Sequence, residues 1–112
     1  TGFFDFEPVL IHGDLAPYHI LYAVDENRLS AVIDFGTAGL GDPATDLGTL
    51  ISSYGETLVS KIEKTYPEYQ NLLPRARFYA QAIELQWVLL GVESGEDYWF
   101  TAHLGGARDI GF

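Results

Sequence analysis

The chain has no cysteine and no methionine, and its 16 acidic residues face only six Lys plus Arg. Each shortage excludes something. Without cysteine there is no disulfide framework, so redox logic assigns no compartment and the cytoplasm is the default expectation. The formal net charge of −10 argues against binding the phosphate backbone of nucleic acid, which needs clustered Lys and Arg. The same charge suits a cationic small molecule drawn in by the surface field. No apolar run reaches the length of a bilayer span, and Thr1–Phe6 does not read as a signal peptide. Neither nucleic acid nor a membrane is therefore expected as a partner. The missing methionine fits a piece of a longer protein.

What is present suffices for one small folded domain. The length of 112 residues allows a single core, and 47% hydrophobic with 14% aromatic residues is too apolar for a disordered chain. Val9–Ile11 reads as a short buried strand. His19–Val24 and Leu29–Ile33 are β-rich runs on either side of the polar turn Asp25-Glu26-Asn27-Arg28, and so read as a hairpin. Gly39-Leu40-Gly41-Asp42-Pro43 reads as a flexible loop ending at a helix start, with Asp42 as cap and Pro43 in the first position. Leu47, Leu50, Ile51, Tyr54, Leu58, Ile62 and Tyr66 recur at helical spacing, with a break near Gly55 and a stop at Pro67. Pro74 is expected to open a longer helix to about Val92. Its apolar stripe of Phe78, Ala82, Leu85, Leu89 and Val92 widens to most of the circumference, so burial on several sides is expected. A last short helix is expected from about Glu96 to Leu104.

Two acidic motifs carry the chemistry. Leu10-Ile11-His12-Gly13-Asp14-Leu15 leaves one apolar run, and Ile33-Asp34-Phe35-Gly36 ends another. Phosphoryl transfer to a hydroxyl needs a carboxylate near the acceptor proton and ligands for Mg²⁺ beside the phosphates. The protein-kinase pattern H-R-D-x-x-x-x-N followed by D-F-G has the same order, with His19 at the Asn position. The bland alternative is a pair of turns, Gly13 supplying a positive φ and Asp34 closing a strand before Gly36. A hairpin-length spacer between the motifs can bring both carboxylates to one end of a small sheet, which favours the chemical reading. No glycine-rich strand-turn-strand precedes His12, and the only lysines, Lys61 and Lys64, come well after Asp34.

With Asp42-Pro43-Ala44-Thr45-Asp46-Leu47 as a third motif in order, the chain resembles the aminoglycoside phosphotransferase and choline kinase superfamily. The resemblance runs from about Val9 to Leu50 and more loosely to the end. It implies an α/β (α+β) fold, the C-terminal lobe of a protein-kinase-like enzyme, with a small β-hairpin sheet and a mainly helical remainder. Residues 1–112 would be that lobe, with a catalytic loop at 9–19, a hairpin at 19–34 and a helical part at 43–104, the N-terminal nucleotide lobe being absent. The resemblance further implies Asp14 as catalytic base and Asp34 as a ligand of Mg²⁺. His19 would be the second metal ligand in place of Asn, as in kinases of the aminoglycoside 2″-hydroxyl and of macrolides. His12 and Asp46 would support the catalytic loop, Asp46 also being favoured by the helix dipole.

The implied activity is transfer of the γ-phosphoryl group of ATP or GTP to a hydroxyl, foremost of an aminoglycoside. A macrolide, a metabolite alcohol, and a catalytically silent binding or assembly module stay open. Glu84 and Trp87 lie three apart on one helix face and are candidates to bind an amino sugar by charge and ring stacking. The plain reading of this pair is core for Trp87 and solvated surface for Glu84. Glu93, Glu96 and Asp97 read as a solvent-facing acidic patch, and His103 has no partner at ligand spacing. An exposed apolar helix face would favour a homo-oligomer.

Overall fold

The computed structural model describes residues 2–96. Asp97, His103 and the helix expected up to Leu104 lie outside the described residues. Strand β1 (Val9–Ile11) pairs antiparallel with β4 (Gly39–Gly41) in the register Val9↔Gly41, Leu10↔Leu40, Ile11↔Gly39. The expected flexible loop at Gly39–Gly41 is thus a strand. A Cβ on Gly41 would sit 2.7 Å from Ile11 Cδ1, so the Ile11 side chain packs over this glycine. Nor is β1 the buried strand its apolar residues suggest. Leu10 and its cross-strand neighbour Leu40 are 78% and 79% exposed.

Strands β2 (Ile20–Ala23) and β3 (Arg28–Val32) form the expected hairpin, with a register shift between Leu21 and Tyr22. Asn27 closes the turn at φ 50°, and its side chain accepts a hydrogen bond from Tyr22 Oη. The two ribbons are separate two-stranded sheets, not one. A loop network, rather than a strand ladder, therefore has to join them.

Helix α1 (Pro43–Tyr54) begins as its sequence dictates. Asp42 accepts from the Ala44 amide at 2.9 Å and Pro43 fills the first position. Gly55, at φ 84°, ends it. Helix α2 (Glu56–Val59) and a 3₁₀ turn over Ser60–Lys64 follow, so Tyr66 is not helical. Helix α3 (Tyr69–Ser94) starts ahead of Pro74, which lies inside it. An interior proline costs about 3 kcal/mol, because the Gln70 carbonyl loses its donor. Tyr69, Leu72 and Leu73, all in the turn before it, are buried in the core. At about 1.5–3 kcal/mol each, the burial of Leu72 and Leu73 offsets the proline.

The core is the α1–α3 contact. Ala44, Leu47 and Ile51 meet Tyr69, Leu72, Leu73, Ala76 and Ala80, with Val59 of α2 beside them. The helices approach closely at Gly48, where a Cβ would lie 2.8 Å from Tyr79 Cβ and 2.9 Å from the Ala76 carbonyl oxygen. Arg77 donates to both carboxylate oxygens of Glu56, at 2.6 and 3.2 Å, pinning α2 to α3.

The apolar stripe expected to be buried is on the other face. Phe78, Ala82, Leu85, Leu89 and Val92 are all exposed. The 12 residues of α1 span about 18 Å, whereas the 26 of α3 span about 39 Å, so α1 is too short to cover the second half of α3. No helix among the described residues is long and apolar enough to cross a membrane.

Candidate active site

The loop after β1 is organised around two buried histidines, His12 and His19. His12 Nδ1 accepts from the Asp14 amide at 3.1 Å, and Nε2 lies 2.8 Å from the Ile33 carbonyl oxygen. An amide can only donate and a carbonyl can only accept, so the proton sits on Nε2. Both ring nitrogens are thereby engaged with backbone. The ring also packs on Phe35 at 4.7 Å between centroids. His12 thus bridges the two motifs, holding the loop of Asp14 against the strand end that leads to Asp34.

His19 ends a one-turn 3₁₀ helix, Pro17–His19, that starts at a proline. Its Nδ1 lies 2.7 Å from the Asp14 carbonyl oxygen, which fixes a proton there. Nε2 then points at Asp34 Oδ2, 3.1 Å away. A neutral imidazole in this position would set a lone pair against a carboxylate oxygen. A proton or another cation between the two relieves that conflict. Asp14 Oδ2 lies 3.7 Å from Nδ1 of the same ring. One buried imidazole therefore stands between the two carboxylates that the motifs single out, and both carboxylates are open to solvent, at 48% and 61%.

Asp34 is held in the left-handed region at φ 62°, a conformation that Asp tolerates better than most residues. The preceding peptide is clamped on both sides. The Ile33 amide donates to the His19 carbonyl oxygen at 2.9 Å, and the Ile33 carbonyl accepts from His12. Gly13, at φ 89°, has no room for a side chain, since a Cβ would meet the Thr37 carbonyl oxygen at 2.6 Å.

Helix α1 supplies the next layer. Asp46, in its first turn, accepts from the His12 amide at 2.8 Å and the Gly13 amide at 3.0 Å. Asp42 is buried and receives four donors. Oδ1 accepts from the Ala44 amide and Arg75 Nη2 (2.9 and 3.0 Å), and Oδ2 from Arg75 Nε and Tyr79 Oη (2.8 and 2.9 Å). Burial pushes the Asp42 carboxyl up, but the Arg75 hydrogen bonds, the Ala44 amide and the Tyr79 hydroxyl outweigh it and hold it below the usual carboxylate range. Asp42 is legible in the sequence as a cap and as the first residue of the third motif, but Arg75 and Tyr79 are not legible as functional. The available signal was their i, i+4 spacing, which puts both on one face of α3.

Glu84 and Trp87 are half-buried in the second half of α3, past Ala80, the last residue of the core cluster. Among the described residues no group of three or more His, Asp or Glu could hold a metal by itself. The pair of His19 Nε2 and Asp34 fits an ion that takes its other ligands from phosphates and water, as Mg²⁺ does, although Mg²⁺ prefers oxygen to nitrogen. The Nδ1–H bond from His19 to a backbone carbonyl matches the outer contact that orients ligand histidines.

Comparison with known proteins identifies the family. Residues 3–79 match the model of the phosphotransferase enzyme family. Viomycin phosphotransferase of Streptomyces vinaceus is 38% identical over 55 residues, a stretch covering 47% of this chain and 19% of that enzyme. The fold is that of wild-type aminoglycoside 2′-phosphotransferase-IIIa solved with GDP, with a TM-score of 0.69 at 24% identity over 95% of this chain and 37% of that one. It is equally that of APH(2″)-IIIa solved with GDP and kanamycin, with a TM-score of 0.71 at 24% identity over 90% of this chain and 36% of that one. The chain thus spans about a fifth of the curated relative and a little over a third of the solved structures. Since the family model covers most of the chain, including both histidines and all four aspartates of the loop network, this protein belongs to the phosphotransferase enzyme family.

Proposed function

We propose that residues 1–112 are the C-terminal lobe of a small-molecule kinase, which transfers the γ-phosphoryl group of ATP or GTP to a hydroxyl of an aminoglycoside or related antibiotic. The observation that carries this reading is the single buried imidazole of His19 between Asp14 and Asp34. Asp14, solvent-exposed on a loop tied down by His12 and Asp46, accepts the proton of the acceptor hydroxyl as its oxygen bonds to phosphorus and the nucleoside diphosphate departs. Asp34 and His19 Nε2 would hold Mg²⁺, which supplies charge neutralisation at the phosphates. The remaining contribution of the chain is positioning, which such reactions depend on most. The names of the relatives, one for viomycin and others for aminoglycosides with GDP or kanamycin bound, support an antibiotic acceptor and a nucleotide donor.

The test is a substrate screen of the parent enzyme with ATP and GTP against aminoglycosides, macrolides and simple alcohols. Asp14→Asn should lower kcat by roughly 10²–10⁴ with nucleotide binding intact, and Asp34→Asn should weaken Mg²⁺-dependent nucleotide binding. Turnover that survives both substitutions refutes the assignment.

A further inference from the structure

Asp42 and Asp46 sit one turn apart at the start of α1 and face different parts of the molecule. Asp46 holds the amides of His12 and Gly13, and so the loop that carries Asp14. Asp42 is tied to α3, through Arg75 and Tyr79. A helix cap requires only the Ala44 amide on Asp42, yet the carboxylate receives three further donors from residues 33 and 37 positions away. The Asp42 side chain is 3% exposed and that of Arg75 13%. A buried ion pair is weak evidence for stability but can specify a geometry. The aromatic groups around the pair restrict it further, with Phe6 5.9 Å from the guanidinium carbon and Phe4 6.5 Å from the Tyr79 ring.

We propose that Arg75 and Tyr79 are positioning residues for phosphoryl transfer, which clamp the Asp42 carboxylate and so fix the first turn of α1, with it the Asp46 carboxylate, and through Asp46 the loop bearing Asp14. The proposal rests on the phosphotransferase reading above. The helix start is the lever. If the first turn of α1 frays or shifts, the two bonds from His12 and Gly13 to Asp46 lengthen together, and a displacement of about 1 Å at a catalytic group can cost about 10²-fold in rate. Neither Arg75 nor Tyr79 touches a reacting atom in this scheme. Their effect passes entirely through the two aspartates.

Amide hydrogen exchange in the full 112-residue chain tests the clamp without reference to activity. Arg75→Lys keeps the charge but loses the planar fork that binds both oxygens. Tyr79→Phe removes one hydroxyl and keeps the ring, and serves should Arg75→Lys fail to fold. Exchange at the His12 and Gly13 amides should accelerate roughly tenfold in either variant, the effect of losing one good hydrogen bond. The amides of Ile51 and Ser52, deep in α1, should change by less than about twofold, since local opening need not involve the whole helix. In the parent enzyme the same variants should lower kcat by roughly 10–100-fold with KM nearly constant, because the loss is confined to the transition state.

A purely structural role gives a different pattern, in which all α1 amides accelerate together and the folded variant retains its kcat. That result, or unchanged exchange at His12 and Gly13, overturns the proposal. A wild-type parent with no kinase activity overturns the functional reading instead, and the exchange data keep the two failures apart.

Discussion

Asp46→Asn isolates the contact between α1 and the loop of Asp14. The wild-type carboxylate accepts two backbone amides, from His12 at 2.8 Å and Gly13 at 3.0 Å, in a part-buried setting. A hydrogen bond to a charged group contributes about 1.5–3 kcal/mol, against about 0.5–1.5 for a neutral one. Asparagine offers a single acceptor oxygen. In either flip its NH₂ faces one of the two amides, donor against donor. One charged bond is lost outright and the other becomes neutral, so the expected loss is about 2–4 kcal/mol. A domain with about 5–15 kcal/mol in hand stays folded. With a urea m-value of about 2 kcal/mol/M, the unfolding midpoint should fall by about 1–2 M at unchanged m. Tryptophan fluorescence and circular dichroism in urea provide the measurement. Asp46→Ala should be no worse, because the shorter side chain sets no donor against either amide. An Asp46→Asn midpoint equal to wild type, or an Asp46→Ala variant markedly weaker than Asp46→Asn, would refute this account of the contact.

Gly48→Ala should destabilise even though alanine is better by about 1 kcal/mol in a helix interior. The new Cβ would meet Tyr79 Cβ at 2.8 Å and the Ala76 carbonyl at 2.9 Å, and such overpacking costs about 1–3 kcal/mol; a raised Tm would contradict it. Gly13→Ala should lose at least about 1–2 kcal/mol in the same urea experiment, because the residue is at φ 89° with the Thr37 carbonyl oxygen 2.6 Å from the added carbon. Acid should act partly through Asp42. Its folded value is depressed, so its contribution is complete above the unfolded value near about 3.9 and is lost as pH falls below it. Urea midpoints between pH 5 and 3 should therefore fall less steeply in Arg75→Ala than in wild type, and parallel curves would show that Asp42 is not the group responsible.

Much of the site was legible because its signals are local. The hairpin over β2 and β3 needs only β-rich runs about a polar turn. The α1 start needs only Asp42 and Pro43, and the break after it only Gly55. Three motifs stand in order along the chain, and the resemblance they carry singled out His12, Asp14, His19, Asp34 and Asp46. Gly39–Gly41 misleads for a physical reason. Glycine reads as a flexible loop, but here the backbone of Gly39–Gly41 pairs with β1, a long-range partner that local composition does not reveal.

Other features are set by partners far along the chain. Helix α3 carries more than one apolar stripe, and periodicity alone cannot say which will be covered. The buried one contains Ala76 and Ala80, small residues that give little hydrophobic signal yet let α3 approach the backbone of α1 at Gly48. Hydrogen bonding that spans 33 to 37 residues, from Arg75 and Tyr79 to Asp42 and from His12 and Gly13 to Asp46, has no local trace. The proton positions on His12 and His19 follow only from which backbone groups face each nitrogen. Sequence by itself determined which groups could do the chemistry, because their identities and order are covalent. The tertiary structure decided which nitrogen faces Asp34 and what holds Asp14 in place, because directional hydrogen bonds exist only once distant segments are packed together.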